Sequence, residues 1–177
     1  KFPEFKGDEA CIYINGSVLP DENLVAAIQR LGALKTLVSA GKVLAFKTEK
    51  QHLNYENLEG ITKGFSALEY EGKVLSIENC WDIFQKNGDA IKADFHLLTA
   101  GRKSQPLSST NTLIGPAENV FLEEGAKVEA SILNASNGPI YLAKDAEIME
   151  GCVVRGPLAL SEHAALKMAC KVYGPTT

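Results

Sequence analysis

The most regular feature of the chain is an apolar pattern with a period of six residues in its last third, from about residue 122 to 177. When this region is cut into successive blocks, the first position is aliphatic in eight of nine blocks, and the fifth is apolar in eight of nine. A period of six matches neither the 3.6-residue repeat of an α-helix nor the two-residue repeat of a strand. It predicts a left-handed parallel β-helix of about three coils, each made of three blocks.

Two columns of residues are predicted to point into this prism. The first column consists of Leu122, Val128, Ser136, Leu142, Ile148, Val154, Leu160, Leu166 and Val172. The second consists of Ala126, Ile132, Ile140, Ala146, Cys152, Leu158, Ala164, Cys170 and Thr176. The block that begins at Val128 carries two extra residues, which we expect to form a small bulge before Ser136.

A second period supports the coil length. Gly-Pro pairs recur every 18 residues, at 138–139, 156–157 and 174–175, and we expect them to stack at one corner. A sandwich or meander with accidental spacing would not produce this corner repeat. Cys152 and Cys170 are also 18 residues apart, so we predict that they stack on successive coils as buried thiols. Their parallel side chains point the same way, which disfavours a disulfide.

Residues 1–100 follow a different pattern, in which strand and helix signals alternate as in an α/β layer. Apolar runs at 11–15, 43–46 and 74–77 predict strands, the first of them buried. A helix is predicted to begin at Pro20–Asp21, because apolar residues follow at helical spacing. These residues are Leu24, Ile28 and Leu31.

A second helix is predicted to begin near Asn79 and to be interrupted at Gly88. Its predicted apolar face consists of Trp81, Phe84, Ile91, Phe95 and Leu98. The polar stretch after it reads as a linker, so the predicted domains are 1–100, a linker at 101–113, and a β-helix at 114–177. Because the repeat runs to Thr177 without a capping helix, we expect the chain to be a fragment of a longer solenoid protein.

Composition narrows the range of partners. The chain has 177 residues, a formal net charge of -4, and 18 Lys and Arg that are dispersed along it, which argues against a nucleic-acid partner. No apolar run approaches the roughly 20 residues that cross a bilayer. Four cysteines without a C-x-x-C pair favour a reduced, cytoplasmic protein.

Three stretches carry a family resemblance: residues 14–20, residues 77–84, and most of 111–177. With them the chain resembles the sugar-1-phosphate nucleotidyltransferases that carry a hexapeptide-repeat tail. This family includes the bifunctional N-acetylglucosamine-1-phosphate uridylyltransferase/acetyltransferases and a glucose-1-phosphate thymidylyltransferase-like branch. The resemblance implies that the substrates are a sugar phosphate and a nucleoside triphosphate, and that Mg²⁺ is the cofactor.

The resemblance also suggests site residues, although it identifies no catalytic residue. It places nucleotide or sugar binding at Asn15, Gly16 and Ser17, where Ser17 replaces the metal-binding aspartate of the family. Asn79 matches the second metal-contacting position, and it also fits a helix N-cap that pairs with Asp82. The Gly-rich phosphate loop of the family is not found in this sequence, so the chain alone is expected to be inactive.

The β-helix suggests a second activity, acyl transfer from acyl-CoA, for which His163 is the candidate base. The pattern places His163 at an outward position, which favours a solvated surface residue over a base. Resemblance to other β-helices implies a homotrimer, but the mostly charged outward residues do not show which face would pack. Two functions therefore remain open: a cytoplasmic transferase of sugar-nucleotide metabolism, or a non-catalytic sugar-nucleotide-binding or trimerisation scaffold.

Overall fold

The computed structural model describes residues 10–49 and 58–177. The chain forms two compact units, at residues 1–78 and 79–177. The predicted domain boundaries at 100 and 113 stay a prediction.

The first unit contains a four-stranded mixed sheet with one helix packed on it. Its elements are β1 Cys11–Ile14, β2 Val18–Leu19, α1 Glu22–Gln29, β3 Lys35–Ser39, β4 Lys42–Thr48, α2 Leu58–Thr62, β5 Ser66–Glu69 and β6 Leu75–Ser76. The sheet order is β1-β4-β3-β5, with β3 and β5 parallel and the other neighbours antiparallel. A separate antiparallel pair joins β2 to β6.

The predicted first helix is confirmed. The Asp21 side chain accepts the backbone N–H of Leu24 at 2.8 Å, so it satisfies a donor that the first turn leaves open. Leu24 and Ile28 then enter the core on the same helix face, together with Leu37 and Leu44 of the sheet. The predicted strand at 11–15 also exists, but it is an edge strand of the sheet. We expected it to be buried, and one of its faces is instead exposed.

The exposed face of β1 carries Ile12 and Ile14, which are 39% and 56% exposed. An edge strand has a partner on one side only, so half of its side chains can remain in solvent. The strands β3 and β5 were not predicted. The partner of β5 lies far away in the chain, whereas β3 pairs with β4 across a tight turn.

The second unit begins with two helices and continues as a three-turn parallel β-solenoid over residues 112–173. The helices are α3 Asp82–Gln85 and α4 Asn87–Thr99. The strands are β7 Thr112–Ile114, β8 Val120–Leu122, β9 Lys127–Val128, β10 Ile132–Asn134, β11 Ile140–Leu142, β12 Glu147–Ile148, β13 Val153–Arg155, β14 Leu158–Leu160, β15 Ala165–Leu166 and β16 Lys171–Tyr173. A 3₁₀ turn, Ala117–Asn119, precedes β8.

Parallel pairing arranges these strands as three faces. Face 1 is β7-β10-β13-β16, face 2 is β8-β11-β14, and face 3 is β9-β12-β15. The predicted coil of three blocks is therefore confirmed.

The core of the solenoid contains most of the predicted inward residues, but the register of one block was wrong. Leu133 pairs with Val154 and is fully buried, whereas Ile132 beside it is 40% exposed and Ser136 lies on the surface. The spacing from Val128 to Leu133 is five residues, where the next coil has six from Ile148 to Val154. The extra residues therefore all lie in the corner between β10 and β11.

The stacked Gly-Pro corner is confirmed. A Cβ added to Gly138 would lie 2.8 Å from the ring of Pro157, and the N–H of Leu158 donates to the carbonyl of Pro139 at 2.8 Å. None of the four cysteines forms a disulfide. Cys152 is buried as predicted, whereas Cys170 is only half-buried.

The helix α4 lies against the solenoid. Its buried residues are Ile91 and Phe95, and its first turn meets the Gly-Pro corner, where a Cβ on Gly88 would be 2.9 Å from Pro175. The predicted apolar face of the preceding segment was wrong, because Trp81 and Phe84 are 50% and 67% exposed. None of the helices that the structure describes is long and apolar enough to span a membrane.

Residues 104–111 cover the start of the first coil. The N–H of Gln105 donates to the carbonyl of Leu122 at 2.8 Å, and the hydroxyl of Ser104 accepts the N–H of Leu122 at 2.9 Å. Further along, the hydroxyls of Thr110 and Ser108 both donate to the carboxylate of Glu129, which holds its pKa below the usual range. The two bonds to Leu122 satisfy strand-edge groups that would otherwise be left open.

Candidate functional site

The three predicted binding residues of the first unit lie in the turn between β1 and β2. The amide of Asn15 donates to the carbonyl of Val43 at 2.9 Å, and its Oδ1 accepts the N–H of Ser17 at 3.0 Å. The second bond closes an Asx turn, which fixes the loop without further side chains. A Cβ added to Gly16 would meet nothing within 4 Å, so the turn presents an open stretch of backbone.

A cavity of about 410 Å³ adjoins this turn. Its lining combines the turn with apolar and aromatic side chains of β1 and β4, namely Tyr13, Ile14, Asn15, Gly16, Val43, Ala45 and Phe46. The rings of Tyr13 and Phe46 are stacked, with centroids 4.7 Å apart and planes at 8°. The volume lies in the range of small-molecule sites, which usually combine apolar walls with a few polar groups.

The turn does not fit the Mg²⁺ ion that the family resemblance implies. Mg²⁺ prefers carboxylate and phosphate oxygens in octahedral geometry. Ser17 offers only a hydroxyl, and the amide oxygen of Asn15 is already bonded to the backbone of Ser17. Within the described ranges, no group of three or more His, Cys, Asp or Glu side chains is arranged to hold a metal ion.

Asn79 lies in the second unit, just before α3. Its backbone N–H donates to Oδ2 of Asp82 at 3.0 Å, but α3 begins at Asp82 with Trp81 at the N-cap position and no side-chain cap bond, so the predicted N-cap at Asn79 was wrong. The carboxylate of Asp82 is buried and also contacts Nζ of Lys86 at 3.1 Å. The carboxylate of Asp82, the nearest acidic group to Asn79 in the sequence, therefore already bonds to groups at the start of the helix. Metal contact by Asn79 stays a prediction.

His163 lies at an exposed corner of the solenoid, with a left-handed backbone conformation at φ +59°. Its Nδ1 is 3.9 Å from Asp145, one coil below, and its Nε2 is 3.7 Å from Glu162. An imidazole beside a carboxylate has the composition of a general base with an orienting partner. Both distances exceed hydrogen-bond length, so the structure brings these groups near one another without joining them.

A partly buried polar cluster that the sequence did not suggest joins the C-terminal end of α4 to face 2. Glu123 accepts from Arg102 at 2.5 Å and from the hydroxyl of Tyr141 at 2.6 Å. Its second oxygen accepts the backbone N–H of Lys144 at 3.0 Å. Arg102 also lies over the ring of Phe121, with the guanidinium carbon 5.3 Å from the centroid. We call Arg102, Glu123 and Tyr141 the latch.

Electrostatics in the latch follow from these bonds. The hydroxyl of Tyr141 and then the guanidinium of Arg102 lower the pKa of Glu123 below its ordinary value. Burial, followed by the bond to Glu123, raises the pKa of Tyr141. Both groups are therefore held in their usual charge states, carboxylate and phenol, which fits a structural role for the cluster.

The only sequence signal for the latch was the aromatic pair Phe121 and Tyr141, which stack on successive coils with centroids 5.9 Å apart. The predicted site residues, by contrast, are not brought into one constellation within either unit. Asn15, Gly16 and Ser17 share a turn, and Asn79 and His163 each lie in separate surroundings.

A family model described as sugar nucleotidyl transferase matches residues 1–103, more than half of the chain. No curated protein matches the chain in a sequence search.

Proposed function

Since the chain belongs to the sugar nucleotidyl transferase family, we propose that its protein transfers a nucleotidyl group from a nucleoside triphosphate to a sugar 1-phosphate. A phosphate oxygen of the sugar attacks the α-phosphorus, the bond from that phosphorus to the bridging oxygen breaks, and pyrophosphate leaves. The family match over residues 1–103 carries this proposal. We place the reaction in the cytoplasm.

The part of the chain that would contact substrate is the turn at 15–17 with its cavity. The stacked rings of Tyr13 and Phe46 offer an apolar wall to a sugar or base, and the open backbone at Gly16 lets a polar group approach closely. Because Asn15 already holds the turn in place, binding would not have to order it.

Mg²⁺ is proposed for the family reaction, where the ion neutralises charge on the transferred phosphate. The turn at Ser17 does not supply its ligands, and metal contact by Asn79 is kept as a proposal. Titration of Mg²⁺ with the wild-type protein and with Ser17→Asp tests this assignment. A Mg²⁺ requirement that is unchanged by Ser17→Asp is expected, and a much lower metal requirement in the variant would place the metal at this turn.

Activity is tested by pyrophosphate release with several sugar 1-phosphates and UTP or dTTP. We expect Gly16→Val to weaken substrate binding by about tenfold, because the added side chain covers the open backbone. Gly32→Val is the matched control, since its Cβ would meet only the flexible side chain of Lys35, at 3.5 Å. Equal turnover in the two variants would remove the turn from the substrate site.

The second candidate is a sugar-nucleotide sensor without turnover. The observation that favours it is Ser17, a neutral hydroxyl with no metal-binding carboxylate beside it in the sequence. Calorimetric binding of a sugar nucleotide, together with no pyrophosphate release from any substrate pair, would select the sensor.

Acyl transfer on the solenoid is a further proposal, with acyl-CoA as donor and His163 as the base. The proximity of Asp145 to His163 supports it. His163→Gln should then abolish CoA release in the presence of acyl-CoA and an amino sugar phosphate, and unchanged release would make His163 a surface residue.

Self-association is proposed through face 1, as a homotrimer. Face 2 is covered by α4 and Arg102, and the outward positions of face 3 are largely charged, including Lys127, Glu129, Glu147 and Lys167. Face 1 exposes Ile114, Ile132 and Val153, each about two-fifths exposed, and its charged outward residues, Arg155 and Lys171, lie on the later coils. Apolar outward residues in neighbouring coils are typical of a packing surface between copies.

Sedimentation measurements test this interface. Val153→Glu places a charge in the centre of face 1 and should shift the protein towards monomer. Ala165→Glu makes the same change on face 3 and should leave the assembly unchanged. A monomeric wild type would contradict the proposal directly.

A further inference from the structure

The outward side chains of face 2 form a ladder that changes abruptly at its third coil. Phe121, Tyr141 and Ala159 occupy equivalent positions on β8, β11 and β14. The first two rings stack with planes at 16°. In this register, Tyr141 has Phe121 on one side and the small Ala159 on the other, so the aromatic stack lacks its third member.

A cavity of about 280 Å³ lies where that third ring would be. The helix α4 forms one wall with Ile91, Phe95 and Leu98, and the opposite wall includes Tyr141 and Ala159. Because Arg102 fastens the C-terminal end of α4 to Glu123, the helix cannot easily move inward to close the gap. The cavity is therefore a consequence of a small residue in a ladder of large ones.

The polar groups of the cavity are acidic or neutral. Asp94 of α4 and Glu162 of the solenoid both line it, beside the hydroxyls of Ser161 and Thr177. No Lys or Arg is among its lining residues. Asp94 carries no hydrogen bond or ion pair within the described residues, so its carboxylate can accept a hydrogen bond from a cationic ligand.

We propose that this cavity binds an arylalkylamine, a flat aromatic ring that carries a protonated amine on a short alkyl chain. Its ring would continue the stack of Phe121 and Tyr141 over Ala159, and its ammonium group would meet the carboxylates of Asp94 and Glu162. Two independent features select this class: the missing ring selects a flat apolar body, and the acidic lining selects a positive charge and disfavours phosphates. The proposal does not rest on nucleotidyl transfer.

Tryptamine is the probe, observed by saturation-transfer NMR and by the shift of the unfolding temperature of the whole chain. Two related compounds separate the contributions of the ring and the charge. Indole-3-acetate keeps the ring and reverses the charge, while hexylamine keeps the charge without the ring. We expect tryptamine to bind at least about tenfold more tightly than either. Equal affinity for all three, or no saturation transfer to tryptamine, would overturn the proposal.

Ala159→Tyr supplies the missing ring from the protein and should abolish tryptamine binding. Ala165→Tyr, at an exposed outward position on face 3, is the matched control and should bind tryptamine as the wild type does. The unfolding temperature shows whether each variant is folded. Asp94→Asn keeps the cavity and should remove most of the preference for tryptamine over indole-3-acetate, and an unchanged preference would contradict the assigned charge contact.

Discussion

The two units of this protein obtain their order in different ways. In the unit of residues 1–78, the central strand β3 pairs with β4 across a tight turn and with β5 across a long excursion of the chain. In the unit of residues 79–177, every solenoid strand stacks on an equivalent strand about one coil away. The first arrangement depends on a few pairings between unlike segments, and the second repeats one kind of contact many times.

The difference extends to the roles of polar side chains. In the first unit, a single amide, that of Asn15, joins two backbone groups and shapes the turn beside the cavity. In the second, the buried hydroxyl of Ser131 bonds backbone groups of neighbouring coils, and the latch of Arg102, Glu123 and Tyr141 attaches α4 from outside. Substitutions should therefore have large effects in the solenoid core and small, local effects at the turn.

Thiol labelling gives the largest expected contrast. Cys152 is fully buried and burial raises its thiol pKa, whereas Cys80 is exposed. Since labelling of Cys152 requires the solenoid to open, we expect it to react about a thousandfold more slowly than Cys80 with an aromatic disulfide reagent. The variant Cys80→Ser should lose the fast phase of labelling, which assigns that phase to Cys80. Rapid labelling of Cys152 in the folded protein would show that the core of the solenoid is not closed.

The register of the solenoid is tested by two neighbouring substitutions. Leu133→Ala removes a fully buried side chain and should lower the free energy of unfolding by about 3 kcal/mol. Ile132→Ala, on exposed surface, should cost less than about 1 kcal/mol. Urea unfolding of both variants measures the difference, and the opposite order would restore the register expected from the six-residue pattern.

The latch predicts a pH-dependent effect. Glu123→Gln should lower the free energy of unfolding by about 1 kcal/mol at neutral pH, because Arg102 and Tyr141 lose a charged acceptor. The folded state lowers the pKa of Glu123, so this stability is present above the unfolded value near 4.5 and is lost as the pH falls through the folded pKa. Glu124→Gln is the control. A difference between wild type and Glu123→Gln that is constant down to about pH 3 would exclude the latch as its source.

The smallest effect is expected at the turn of the first unit. Asn15→Ala loses the bonds to Val43 and Ser17 and should cost about 1 kcal/mol. Ser17→Ala should change stability by less than about 0.5 kcal/mol. Thermal unfolding followed by circular dichroism measures both. If the two variants are equally stable, Asn15 does not hold the turn.

Part of this structure was predictable because its signal is local and repeated. Leu24 and Ile28 follow a capping Asp21 within one helix, and the Gly-Pro pairs at 138, 156 and 174 mark one corner of successive coils. In both cases the residues that carry the pattern are also the residues in contact, so spacing alone identified the element.

The candidate site was less predictable from the sequence. Spacing identified the turn at 15–17, but not that Asn15 would be bonded to Val43, which is distant in the chain. The latch was missed for the same reason, since Arg102 follows a helix and Glu123 lies in the first coil. Trp81 and Phe84 show the reverse case, in which an apolar pattern on a short helix stayed exposed.

The sequence by itself determined a β-solenoid of about three coils, predicted at residues 114–177 and found at 112–173, because each coil repeats the same inward positions. Only the tertiary structure decided that Leu133 and not Ile132 points inward. A net insertion of two residues can be divided between corners in several ways, and stacking on the neighbouring coil selects one. In the same way, only the tertiary structure shows that α4 covers face 2 and leaves face 1 uncovered, with a cavity between α4 and Ala159.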